Sequence, residues 1–286
     1  MNEDYTSITT PVLTDKTFRR LGHFIHQEYG IKMPDVKKIM LQSRLQKRLK
    51  LLGYDSFDAY CDFLLGSNGR AEVVEMINAV STNKTDFFRE PAHFDYLTEH
   101  ILPKLRNPFS ETTTPMFNVW SAGCSTGEEP YTLAMVLMDY AMQMRNFQFK
   151  IMATDISTRV LDHARKAIYA ERTIAPVPVS LRKKYMLKSK DKTRQQVRMH
   201  PAIREKVAFQ RLNFMDETFN LPHKFDIIFC RNVVIYFDLE TQIKLFQKFA
   251  KQLRSNGYLF IGHSETLNGL NLPFRAVFPT VYQKTE

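Results

Sequence analysis

The 286-residue chain is short of cysteine, of long apolar runs and of negative charge, and each shortage removes a class of protein. Its three cysteines, Cys61, Cys124 and Cys230, are odd in number, far apart and in no metal-type spacing. That excludes a disulfide or zinc framework and leaves reduced thiols. No run of about 18 apolar residues occurs, so no spanning helix is expected, and the opening MNEDYTSITT lacks the basic-then-apolar pattern of a secretory signal. Cytoplasmic residence is the expectation. Lys and Arg number 40 against 30 Asp and Glu, a formal net charge of +10, which favours an acidic partner: nucleic acid, an anionic membrane surface or an acidic protein. Charge alone does not choose among them. What the chain does have is 44% hydrophobic and 12% aromatic content, enough for one large domain or two modest ones.

Residues 14 to 80 read almost entirely as helix: TDKTFRRLGHFIHQEYG, PDVKKIMLQSRLQKRLKLLG, SFDAYCDFLLG and RAEVVEMINAVS. Gly30, Gly53 and Gly66 stand where helices should stop, and Thr14, Asp35 and Ser56 where they should start. From about 115 the pattern changes to β-prone runs alternating with helical ones: MFNVWSAG, PYTLAMVLMDYAMQM, FKIMATD, TRVLDHARKAIYA, VAFQRLNF, FDIIFC, TQIKLFQKFAKQLR, GYLFIGHS and VFPTVYQK. Such alternation implies an α/β domain with a mostly parallel sheet covered by helices. The expected division is a helical domain over 1–80, a linker over 81–114 and a sheet domain over 115–286. The charge-rich segment 188–207 fits neither pattern and reads as a small β insertion or a solvated loop.

Ligands of such sheets bind beyond the carboxyl ends of the strands, and the polar residues fall there. The first strand runs into SAGCSTGEEPY, where glycine lets the backbone turn tightly and Pro130 suits a first helical turn. The G-x-G-x-x-G spacing of a dinucleotide site is absent, and Glu128 and Glu129 would repel a pyrophosphate. A phosphate-free cofactor carrying hydroxyls and an ammonium fits better. Asp155, ending FKIMATD, is placed to accept from ribose hydroxyls, though Asp there also caps a helix. Asn213, Arg231 and Asn232 end later strands. The last two interrupt an apolar run, FDIIFCRNVVIYFD, in which unpaired polar heads would cost roughly 1–3 kcal/mol each. The expectation is that they face a ligand.

Four motifs, FDIIFCRNVVIYF, SAGCSTGEEPYTLA, STNKTDFFRE and GYLFIGHSE, resemble the CheR family of chemotaxis receptor methyltransferases, in order and spacing from about residue 14 to 282. The resemblance implies a class I S-adenosylmethionine-dependent methyltransferase, with a Rossmann-like sheet, an N-terminal all-helical domain and a small β insertion. It implies esterification of glutamate γ-carboxylates on the cytoplasmic helical bundle of chemoreceptors, with S-adenosylhomocysteine as co-product and no metal. By matching position, Asn83, Thr85, Arg89, Glu129, Asp155, Asn213, Phe214, Arg231 and Asn232 contact the cofactor, Phe214 through its backbone, and Arg89 and Tyr236 lie nearest the transferred methyl. Some members also dock a receptor C-terminal peptide through the β insertion. The resemblance further implies a monomer that meets the membrane only through receptors and binds no nucleic acid.

The chemistry agrees with a site lacking an obvious general base. An acceptor glutamate, with a reference pKa of about 4.3, is already an anion at neutral pH; His93 and His263 are expected in structural or solvent roles. On the basic helix, Ile39, Leu41, Leu45, Leu49 and Leu52 fall on one arc and Lys37, Arg44, Lys47, Arg48 and Lys50 on the other. Lys37, Arg44, Lys47 and Arg48 are therefore expected to meet an acidic receptor bundle. Two alternatives stay open on the residues alone: a nucleic-acid methyltransferase, which the charge would suit, and a cofactor-sensing protein without turnover.

Overall fold

A computed structural model describes residues 11–105, 116–144 and 146–285. The opening decapeptide and residues 106–115, which take in the end of the segment expected as linker and the first residue of the expected sheet domain, lie outside the described residues. The chain divides into two compact units, one ending at Thr82 and one beginning at Asn83.

The first unit contains α1 (Asp15–Tyr29), α2 (Lys38–Leu52), α3 (Phe57–Leu65) and α4 (Arg70–Val80). Thr14 and Ser56 accept the backbone N–H groups of Thr17 and Ala59 and so start α1 and α3. Gly30 and Gly53 end α1 and α2 in the left-handed conformation, whereas Gly66 ends α3 extended. Asp35 opens a short 3₁₀ turn and makes no side-chain cap. The core side of α2 is the leucine series Leu41, Leu45 and Leu49, all buried. Ile39 and Leu52 do not join it: Ile39 is 82% exposed and Leu52 39%. The apolar stripe is thus narrower than the sequence arc suggested.

The second unit opens with α5 (Ala92–Tyr96), which passes through a π turn into α6 (Leu102–Leu105). The segment from Asn83 packs with the sheet, since Phe87 meets Tyr169 edge-on and Phe94 stacks on Phe229. Then follow β1 (Phe117–Ala122), α7 (Glu128–Gln143), β2 (Phe149–Asp155), α8 (Thr158–Lys166), β3 (Ile168–Ala170), α9 (Val179–Tyr185), β4 (Met186–Lys188), β5 (Gln196–Met199), α10 (Pro201–Arg204) and β6 (Val207–Arg211). The remainder is β7 (Phe225–Cys230), α11 (Leu239–Gln252), β8 (Leu253–Ile261), β9 (Phe274–Phe278) and β10 (Val281–Lys284).

Seven strands form one sheet in the order β6-β2-β1-β7-β8-β10-β9. Six of these strands run in one direction and β10, inserted between β8 and β9, runs against both of its neighbours. β1 is buried along its whole length, as a strand covered on both faces must be. At its centre Trp120 is sealed among Phe219, Phe225 and Phe249, and its indole N–H donates to Thr154 Oγ1 at 2.9 Å. After β1 the chain builds outward through β2 and β6, then returns to β7 on the other flank of β1. The strand order reverses between β1 and β7, and crevices beyond the carboxyl ends of strands open at such reversals.

The small sheet, β3-β5-β4, is antiparallel and draws on residues 168 to 199. The segment 188–207 supplies β5 and the last residue of β4, while α10 and the start of β6 take up its remainder. The insertion therefore begins about twenty residues earlier than the charge pattern suggested. Strands of three and four residues carry too little alternation to announce themselves.

Candidate active site

Every residue expected at the cofactor lies beyond the carboxyl end of a parallel strand or on the segment that closes over them. Arg231 and Asn232 follow β7, Glu129 opens α7 after β1, Asp155 ends β2, and Asn213 and Phe214 follow β6. Tyr236 closes a 3₁₀ turn, Val234–Tyr236, and is partly exposed. Asn83, Thr85 and Arg89 lie on the segment before α5. That segment is tied to the β1–α7 loop where the Ser125 hydroxyl donates to Asn83 O at 2.8 Å, and to α7 where Phe88 N donates to Thr132 Oγ1 at 3.2 Å. The Arg89 guanidinium folds back to Lys84 O at 3.3 Å.

Arg231 does not simply open onto a ligand. Its side chain is 2% exposed. Nε donates to Glu129 Oε2 at 2.8 Å, and Nη1 donates to Arg89 O at 2.7 Å and lies 3.4 Å from Glu90 Oε2. The guanidinium is the anchor of the site: buried charge is tolerated only when paired and hydrogen-bonded. Glu129 in turn accepts the Ser121 hydroxyl at 2.7 Å. At the next strand, Asp155 accepts the backbone N–H groups of Ser125 and Ser157, each at 2.9 Å, so one carboxylate pins the β1–α7 loop to the start of α8. Burial raises its pKa, against the backbone hydrogen bonds that lower it. Burial also raises that of Glu128, which accepts from the Thr126 hydroxyl.

Two residues that shape the site were not anticipated. Glu265 accepts three backbone N–H groups, those of Asn232 and Val234 at 3.0 Å each and that of Gly262 at 2.6 Å. It thereby fastens the loop carrying Asn232 and Tyr236 to the end of β8. A Cβ on Gly262 would come within 2.5 Å of Asn232 Nδ2, so only glycine permits this approach. Glu90 accepts the His263 N–H at 3.2 Å and sits 3.5 Å from Asn232 Nδ2. Both glutamates stood inside quoted motifs, GHSE and FFRE, but no periodicity marks a carboxylate whose partners are distant backbone amides. Phe88, Glu90, Ser125 and Asn232 all have left-handed backbones, with φ between 50° and 59°. Such strain in non-glycine residues concentrates at functional sites.

Ligating atoms of Glu90, His93 and His263 lie within 4.8 Å of one another. The Arg231 guanidinium, 3.2 Å from His93 Nδ1 and 3.4 Å from Glu90, sets a fixed positive charge against any cation there.

The expected receptor-facing cations belong to the other unit, and two of them face inward. Arg44 donates to Val80 O at 2.5 Å and Ser81 O at 3.1 Å, satisfying the carboxyl end of α4. Arg48 makes a two-point contact with the buried Glu72, at 2.9 and 2.5 Å, and Glu72 also accepts the Tyr60 hydroxyl at 2.8 Å. The helical wheel counted these positions as an outer face, but α2 packs against α4, and long side chains flanking the leucine stripe reach that seam. Lys37 donates to Lys32 O, and burial lowers its pKa. Lys47 and Lys50 are exposed.

Acceptors gathered at the strand-order reversal of a mostly parallel seven-stranded sheet, with no phosphate fingerprint, define a class I S-adenosylmethionine-dependent methyltransferase. The residues fit this cofactor. Asn232 Oδ1 is buried without a hydrogen-bond partner among the described residues, Glu90 and Glu129 flank one buried guanidinium, and the Asp155 carboxylate ends the neighbouring β2, an acceptor set that suits a ligand that donates hydrogen bonds and carries positive charge. Residues 83–283 match the family model described as CheR methyltransferase, SAM binding domain, and residues 16–81 that described as CheR methyltransferase, all-alpha domain. The chain is 42% identical over 95% of its length to a chemotaxis protein methyltransferase of Borreliella burgdorferi, covering 95% of that protein. It is 38% identical over 94% of its length to one of Salmonella typhimurium, covering 90% of it. The chain belongs to the CheR methyltransferase family.

Proposed function

We propose that the chain transfers the methyl group of S-adenosylmethionine to glutamate side chains on the cytoplasmic helical bundle of chemoreceptors, giving glutamate methyl esters and S-adenosylhomocysteine. The observation that carries the reading is the set of acceptors gathered where the strand order reverses between β1 and β7, among them Asn232 Oδ1, which has no partner among the described residues. When bound, the cofactor supplies an electrophilic methyl on a positively charged sulfur. The residues that would hold it are Asn83, Thr85, Asp155, Asn213, the main chain of Phe214, and Asn232. Asp155 keeps lone pairs for hydroxyl donors beyond the two backbone N–H groups it already accepts. Glu129 acts with Arg231, as one paired unit that keeps the crevice in shape.

The acceptor carboxylate arrives as an anion, so no proton has to be removed. The work left to the chain is alignment and exclusion of water, and near-attack positioning is worth on the order of 7–11 kcal/mol. Arg89 steers the carboxylate with charge-assisted hydrogen bonds. Binding that anion too tightly would deaden it, and the tether of Arg89 to Lys84 O limits its approach. Tyr236 offers a hydroxyl to the carboxylate and a ring face to the sulfonium, an attraction of about 0.5–2 kcal/mol.

Docking to the receptor falls to the exposed Lys47, with Lys50 beside it on α2, against the acidic helices that bear the substrate glutamates. Arg44 and Arg48 support that helix from within. A receptor tail peptide would add to an edge of the three-stranded sheet. The protein works as a cytoplasmic monomer and meets the membrane through its receptors; no helix among the described residues is long and apolar enough to cross a bilayer.

Incubation with radiolabelled S-adenosylmethionine and receptor-rich membranes tests the reading. Base-labile label on a membrane protein is expected. Label on RNA would shift the assignment to nucleic acid, and cofactor binding without label would leave a sensor.

A further inference from the structure

His93, on α5, is fully buried. Its Nδ1 lies 3.2 Å from Arg231 Nη1 and its Nε2 lies 2.8 Å from Thr280 Oγ1. A guanidinium has only donors, so Nδ1 must accept. Nε2 then carries the ring proton and donates to Thr280, whose hydroxyl donates onward to Pro279 O at 2.7 Å. Each proton in this chain of bonds has one place to go. Burial, then the neighbouring Arg231, lower the ring's pKa to about 4, so the neutral tautomer holds at working pH. Glu90 Oε2, 3.4 Å from Nδ1, takes the guanidinium's remaining share.

The two ends of this chain are unlike. One is the β9–β10 turn, where Thr280 holds a left-handed backbone at φ 58°, rare for a β-branched residue. The other is Arg231 Nη1, which donates to the carbonyl of Arg89, between two more left-handed residues, Phe88 and Glu90. Removing the ring would take away one of the acceptors that orient Nη1, letting it turn toward Glu90 Oε2 and the Arg89 turn relax, while the Nε contact to Glu129 on the other side of the guanidinium would persist.

We propose that His93 is a positioning residue for methyl transfer: it couples the β9–β10 turn to Arg231, and through Arg231 to the Arg89 carbonyl, so that the Arg89 turn keeps its conformation. The proposal rests on the reading that Arg89 stands beside the transfer centre.

The test compares His93→Leu, His93→Gln and Thr280→Val with the parent, measuring S-adenosylhomocysteine affinity by calorimetry and kcat and KM on receptor-rich membranes. The leucine variant removes acceptor and donor together; the glutamine amide restores one of each. In His93→Leu, kcat is expected to fall roughly 10- to 100-fold, with KM and cofactor affinity moving less than about threefold. Glutamine recovers most of the loss, and Thr280→Val gives a smaller drop of the same kind. A kcat for His93→Leu within twofold of the parent overturns the proposal, as does a glutamine variant no better than leucine or a loss of cofactor affinity that matches the loss of kcat. If the leucine variant does not fold, nitrogen-15 spectra of the parent ring decide: a proton on Nδ1, or titration near the ordinary histidine value, overturns it. A parent that binds no S-adenosylhomocysteine would instead sink the reading of the site on which the proposal rests.

Discussion

Each unit sets an arginine against a buried glutamate, and the two pairs end differently. In the helical unit, Arg48 and Glu72 close on each other, with Tyr60 completing the set. In the sheet unit, Arg231 is shared among Glu129, Glu90, the Arg89 carbonyl and His93, and beside it Asn232 Oδ1 has no partner among the described residues. A closed network specifies a fold; a network with an acceptor left over specifies a fold and a ligand. An arginine on a buried glutamate stands at the centre of both, and the difference between the units is in what remains unsatisfied around it.

Cutting one carboxylate from each network should break the comparison most sharply. Glu129→Ala takes from the buried Arg231 its nearest carboxylate and should cost about 3 kcal/mol of stability, with cofactor affinity down on the order of 100-fold. Glu72→Ala leaves Arg48 with only the more distant Glu75 and the buried Tyr60 hydroxyl without its acceptor, and should cost about 2–3 kcal/mol in denaturant titrations while leaving S-adenosylhomocysteine affinity within error. Cofactor affinity lost equally in both would mean that the networks are not functionally distinct.

Acid should load the open network next. The unfolded His93 ring takes its proton near pH 6.5 and the folded ring only near pH 4, because of burial and then Arg231, with Glu90 opposing and His263 adding to the effect. Between those values the unfolded state holds more protons, so stability present above pH 6.5 falls as pH drops through the window, by up to about 2–3 kcal/mol. Glu128, Asp155 and Glu265 have raised values from burial and pull the other way, which the difference between parent and His93→Gln removes. Equal pH slopes for the two proteins would show that the ring does not titrate as described.

Smaller effects sharpen the picture at its edges. Tyr236→Phe should keep cofactor affinity and lower kcat about tenfold; unchanged turnover would remove that hydroxyl from the reaction. Lys47→Glu with Lys50→Glu should weaken receptor binding several-fold in low salt, by about 1 kcal/mol, and the deficit should shrink as salt rises. A deficit independent of salt would point away from a charged contact.

The strand-and-helix grammar of 115–286 was legible because apolar runs of six and seven residues, such as FDIIFC and FKIMATD, alternate with amphipathic helices. So was the location of Arg231 and Asn232, because polar residues interrupting a buried run must sit at its end. The partner of Arg231 was not legible: Glu90 and His93 are more than 130 positions away in sequence and carry no pattern that points across the fold. The inward turn of Arg44 and Arg48 was hidden for a related reason. A helical wheel distinguishes core from solvent but not solvent from the seam with a neighbouring helix. Glu265 was missed because its partners are backbone N–H groups, which every residue but proline possesses.

Trp120 has a practical consequence. It is the only tryptophan in the chain and lies in β1, at 0% exposure, whereas the helical unit has none. Long-wavelength excitation therefore illuminates a single fluorophore, and its emission follows melting of the β-sheet alone. Circular dichroism, which sees helices in both halves, run beside it would reveal whether the two halves come apart together or in sequence.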